Sequence, residues 1–187
     1  MAVMAWQADV DDCRKTSDAF WMLPHLILQS RWKKTAASID TQRTPEAHLA
    51  ALEARYSLSL PDEFRTYLRE GVPTNENWDA EDGNWWPLAR IKNIPDEYEQ
   101  PVSGPIARNA AKHLFFLDYS IWSWAWAISC ANDETWGKVA LIGGALDGYV
   151  ANSFAEFVDR YTTEWMSISR VKTVSRSSRI WSWMRGN

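Results

Sequence analysis

The side chains best suited to chemistry in this chain are three histidines, His25, His48 and His113, and two cysteines, Cys13 and Cys130. A metal site would need them at short spacings that bring two or more ligands onto one turn or strand pair. They are scattered instead, with the cysteines 117 positions apart. Both cysteines sit in apolar or helix-like surroundings and are expected as reduced, packed thiols. No serine stands in a G-x-S-x-G turn. "IGGALDG" has three glycines, but it lacks the order GxGxxG and the lysine of a phosphate loop. A strand end and a hairpin turn account for it. The acid pairs Asp62/Glu63 and Asp133/Glu134 are explained by a helix start and a turn, without acid–base work. The expectation is a protein that is not an enzyme and needs no cofactor and no metal.

A different kind of chemistry is suggested by "NWDAEDGNWWPLARIKNIPDEYEQP", residues 77–101. Trp78, Trp85 and Trp86 stand there among six carboxylates, Asp79, Glu81, Asp82, Asp96, Glu97 and Glu99, with two bases. A buried core explains tryptophans, and a solvated loop explains carboxylates. A surface that binds a basic partner explains both. Asp79, Glu81, Asp82, Trp85, Trp86, Asp96, Glu97 and Glu99 are therefore the candidate partner-binding residues. For Trp85 and Trp86, packing and service as an interface anchor both remain open.

The charge distribution points the same way. The net charge is −4, but residues 46–160 carry nine bases against 18 acids, while residues 161–187 carry five bases and one acid. An acidic unit is a poor match for phosphate, so nucleic acid is not the expected partner. It suits a basic protein. The opening "MAVMAWQADVDDCRK" turns acidic before any long apolar run, which argues against a secretory signal. "AFWMLPHLIL" is too short to span a bilayer. A soluble, cytoplasmic protein with no membrane partner is expected.

These residues must be positioned by the elements around them. Phe20, Leu23 and Ile27 could share a helical face, but Pro24 interrupts it, so residues 1–43 are expected as a partly helical extension. In "TPEAHLAALEARY", Thr44 suits an N-cap and Pro45 the first helical position, with Leu49, Leu52 and Tyr56 on one side. "LPDEFRTYLREG" predicts a second helix from Pro61, with Phe64, Tyr67 and Leu68 as its stripe and Gly71 at its end. "WWPLARI" predicts a strand ending in a short helix or turn near "NIPDEYEQ". "HLFFLDY" (113–119) predicts a buried strand. In "WSWAWAISC" (122–130), Trp122, Trp124, Trp126 and Ile128 alternate with small residues, which predicts one aromatic face and one that lets another segment lie close. "KVALIGG" and residues 149–151 predict two more strands around the Asp147-Gly148 turn. "SFAEFVDRY" predicts a helix opened by a Ser153/Glu156 capping box. Helices, then antiparallel strands, then a helix make an α+β fold.

The ordered set "LPDEFRTYLREG", "NWWPLARIKNIPDEYE", "HLFFLDY", "WAWAIS", "KVALIGG" and "ANSFAEFVDRY" resembles the SUKH superfamily, the Smi/Knr-like domain, over about residues 46 to 163. The resemblance implies an N-terminal helical pair, a mostly antiparallel sheet and a closing C-terminal helix. It divides the chain into an extension (1–43), a SUKH-like domain (44–164) and a basic aromatic tail (165–187). It also implies function by binding. Bacterial members are largely cytoplasmic immunity proteins of polymorphic and contact-dependent toxin systems, which cover a cognate toxin, often a nuclease. Fungal members look like scaffolds in signalling or cell-wall synthesis, the alternative expectation. The family has no catalytic motif to carry over, and its partner surface varies among members.

Overall fold

The computed structural model describes residues 23–34 and 39–171. The helices are α1 (Pro24–Trp32), α2 (Glu46–Tyr56), α3 (Asp62–Gly71), a short α4 (Ile94–Glu97) and α5 (Phe154–Glu164). A two-stranded ladder pairs β1 (Thr41–Gln42) with β2 (Val72–Pro73). The main sheet is an antiparallel meander in chain order: β3 (Asn77–Trp78), β4 (Gly83–Trp85), β5 (His113–Tyr119), β6 (Trp124–Ser129), β7 (Val139–Ile142) and β8 (Gly148–Ala151). This is the α+β architecture, with its helical pair and closing helix, that the residue patterns predict.

Each face of the sheet has its own apolar core. Towards α1, α2, α3 and α5 it presents Trp85, Leu114, Phe116, Leu117, Trp126 and Ile128. Phe64, Tyr67, Phe154 and Phe157 pack against them from the helices. The opposite face is covered by α4 and a 3-10 segment, Gly104–Lys112. There Ala125, Ala127 and Ala140 leave room for Ile94 and Ile106. The large-against-small alternation of β6 is thus a device for covering both faces. A register shift between Phe115 and Leu117 breaks strict alternation, so Phe116 and Leu117 both join the helical side while Phe115 faces the other.

Four local expectations are corrected. Pro24 does not interrupt α1 but begins it, since its fixed φ and missing N–H suit the first helical position. Phe20 lies outside the described residues. Pro45 is the N-cap of α2 and has no side-chain cap; the N–H of Thr44 donates to Arg69 O at 2.9 Å instead. Trp122 is not in β6. Ser120, Ile121 and Trp122 have φ of 44°, 56° and 64°, and this left-handed turn swings Trp122 to the Trp86 side. Ser153 Oγ does accept from Glu156 N at 3.1 Å, but the Glu156 carboxylate accepts from Asn152 N, one residue outside the expected box.

The region before residue 44 shares the main core. Leu28 and Trp32 of α1 are fully buried, and Trp32 meets Trp85 edge to face with centroids 5.5 Å apart. Gln29 Nε2 donates to Glu70 O at 3.2 Å and Arg31 to Thr162 O at 2.8 Å, which tie α1 to α3 and α5. A Cβ on Gly71 would come within 2.6 Å of Gln29 Nε2, so the bare glycine permits this close approach. Beyond α5, Ile168 is buried and its carbonyl accepts from Trp126 Nε1 at 3.0 Å.

Candidate partner-binding face

The acidic aromatic stretch folds into β3, a tight turn, β4, a 3-10 turn (Leu88–Arg90) and α4. Asp79 begins the turn and was expected to point outward. It is buried, because four donors converge on its carboxylate. Glu81 N and Gly83 N donate to Oδ1 at 2.9 and 3.0 Å, and Trp85 Nε1 and Tyr161 OH donate to Oδ2 at 3.0 and 2.6 Å. Burial, and then the Asp79 charge, push the Tyr161 phenol well above its ordinary range, so it stays a donor. A Cβ on Gly83 would lie 2.1 Å from Tyr161 OH, so this junction needs glycine.

Trp85 and Trp86 are neighbours on a strand end and point to opposite sides. Both are fully buried, which leaves neither available as a surface anchor. Trp85 sits among Trp32, Tyr67, Phe116, Phe157 and Tyr161. Trp86 Nε1 donates to Asp118 at 2.7 Å, and Asn84 Nδ2 donates to the same oxygen at 3.0 Å. The Arg90 guanidinium lies over the Trp86 ring, 4.2 Å from its centroid, and pairs with Glu76 and, at 3.5 Å, with Asp118. Asp118 is the organising carboxylate here, and sequence reasoning missed it. Its only local signal is a lone acid in the apolar run "HLFFLDY".

The other candidates divide into tied and free groups. Glu81 pairs with Arg31. Glu97 accepts from Lys92 Nζ at 2.8 Å and Trp122 Nε1 at 3.3 Å. Asp96 accepts from Tyr56 OH at 3.2 Å and lies 3.5 Å from Arg55, so it faces the end of α2. Asp82 and Glu99 are exposed, and neither carboxylate has a hydrogen bond or ion pair among the described residues. The stretch is therefore a set of structural junctions that leaves two carboxylates without a partner among the described residues, not one uniform acidic face.

Elsewhere His113 and Cys130 are similarly occupied, whereas His25 is buried with its Nδ1 lacking a hydrogen-bond partner among the described residues. His113 is buried, with Nδ1 2.8 Å from Asn109 O and Nε2 3.0 Å from Tyr149 OH. A carbonyl can only accept, so the proton is on Nδ1 and Tyr149 donates to Nε2. Cys130 lies at the base of a cleft of about 590 Å³ beside Glu53, Lys112 and Trp136. Burial pushes its thiol far above the range of a reactive cysteine. Lys112 Nζ donates to the Tyr56 and Ser57 carbonyls, at 3.1 and 2.6 Å, at the end of α2. Among the described residues no cluster of His, Cys, Asp and Glu could hold a metal ion, and no helix is long and apolar enough to cross a membrane. No curated protein and no solved structure matches the chain. A family model, described as the SMI1/KNR4 family (SUKH-1), matches residues 44–160.

Proposed function

The chain belongs to the SMI1/KNR4 family (SUKH-1), and from that premise we propose that it is a non-enzymatic immunity protein that neutralises a cognate toxin domain by covering it. The family match over residues 44–160 carries this proposal, since the family includes immunity proteins. The fold supports it. The buried groups His113, Cys130, Asp79 and Asp118 are each held in a structural contact or by burial. What the molecule offers a partner is surface. The excess of acids in residues 46–160 favours a basic toxin, as nucleases often are because they bind phosphate.

The experiment is co-expression with the protein encoded beside this gene. That protein should arrest growth alone and fail to do so when this chain is present. The two purified proteins should form a stoichiometric complex. A neighbour that is harmless, or that kills equally well in its presence, overturns the proposal in favour of a regulatory scaffold.

A further inference from the structure

The meander places three turns at one end of the sheet: β3–β4 (79–82), β5–β6 (120–123) and β7–β8 (143–147). Ser120 N donates to Asp82 O at 3.1 Å, which ties the first two together. At the tip of the second, Ile121 is 87% exposed, far more than any other large apolar residue among those described. Its φ of 56° is unfavourable for a β-branched residue. The strain has an internal reason one residue later, because the left-handed turn delivers Trp122 to Trp86 and Phe115. That reason accounts for the turn but not for isoleucine in it, since glycine or asparagine would suit the backbone better.

Aromatic stacks flank this tip on both sides of the sheet. On the helical side Trp165, Tyr119 and Trp124 stack in a row, with centroid separations of 5.3 and 4.4 Å. On the other, Tyr98 stacks on Trp122 at 5.6 Å and 4°. All five are only partly buried. Met166, 52% exposed, borders a shallow cleft of about 170 Å³ beside Trp165 and Glu81. Around the apolar centre the carboxylates unpaired among the described residues are Asp82, Glu99 and Glu164. The cations Arg31 and Lys92 are already tied to Glu81 and Glu97, and Arg170 is the exposed exception. An apolar centre with a negative rim has the anatomy of a protein interface, and its charge suits a basic partner.

We infer that this loop end of the sheet, with Ile121 at its centre, is the docking face for a basic protein domain. The inference rests on the binding function proposed above and adds the surface that performs it. The probe is the purified toxin domain encoded beside this gene, inactivated in its own active site, and the readout is its affinity for the full chain. Ile121→Asp should weaken binding by roughly 30-fold or more, the loss typical of a central anchor. Ile121→Gly should weaken it by about tenfold or more while leaving the thermal midpoint unchanged or higher, since glycine accepts the left-handed backbone. Trp136→Ala lies at the opposite end, in the β6–β7 connection, and should change affinity by about twofold or less. If the wild-type chain binds and Ile121→Asp binds equally well, the docking face is wrong while the binding function stands. If the wild-type chain does not bind, both fall. If Ile121→Asp instead halves the sedimenting mass of the protein alone, the face is covered by a second copy and the inference is overturned.

Discussion

Asp79 shows how a carboxylate in an acidic stretch can be structural. Its four donors come from its own turn, from β4 and from α5, so one side chain joins three elements. Asp79→Asn keeps the shape but presents an amide to at least one donor. We expect a loss of about 2 kcal/mol in urea denaturation, in line with hydrogen bonds to a charged group. A stability within error of wild type would show that the junction is redundant. His113 makes a second prediction at this scale. Burial holds its pKa below the ordinary 6.5, and His25 is shifted the same way, also chiefly by burial. The unfolded chain therefore takes up protons that the folded form resists. Stability from these groups is complete above about pH 6.5 and is lost as pH falls towards their folded pKa values. The urea midpoint should drop between about pH 7 and 5. His113→Gln should flatten that slope, and an unchanged slope would assign it elsewhere. Asp133 and Glu53 have depressed pKa values, so their contributions disappear only at lower pH.

Two elements carry predictions of their own. At α5, Ser153 Oγ satisfies the free N–H of Glu156. Ser153→Ala should cost about 1 kcal/mol of folding stability, and affinity per folded molecule should hold. A large affinity loss at unchanged stability would place this helix start in the interface. At α1, Trp32 fills the space above Trp85. Trp32→Ala should lower stability by about 3–5 kcal/mol, because a large buried ring leaves a cavity. The denaturation midpoint should fall with an unchanged m-value. A loss below about 1 kcal/mol would mean that α1 is a removable extension despite its burial. The family match begins at residue 44, whereas the packing of Leu28 and Trp32 begins the core earlier.

At the scale of the whole molecule, long-range attraction depends on exposed charge. A reversal including Asp79 would test folding, because that carboxylate is buried. The reversal that tests steering is Asp82→Lys with Glu99→Lys, at two exposed carboxylates without partners among the described residues. In binding kinetics against the neighbouring toxin domain, association should slow several-fold and lose part of its salt dependence, while dissociation changes less. An association rate unmoved at low salt would remove these carboxylates from the encounter.

The sequence by itself determined the elements whose signals are local. Period-two alternation and an apolar run marked β5 and β6, and apolar spacing marked α2, α3 and α5, with the Ser153 cap at the last. The paired large and small faces of β6 even indicated that something must lie close on its alanine side. The tertiary structure alone decided what the acidic tryptophans do. Tyr161 stands 82 positions from Asp79, and Asp118 stands 32 from Trp86, so no window of neighbouring residues could reveal that Asp79 accepts from Tyr161 or that Asp118 accepts from Trp86. The same holds for Pro24 and Trp32, whose roles depend on where α1 docks against α3 and α5. Ile121 lies between these cases. Its exposure follows from a left-handed turn that is set by the destination of Trp122, a contact made across the sheet and not along the chain.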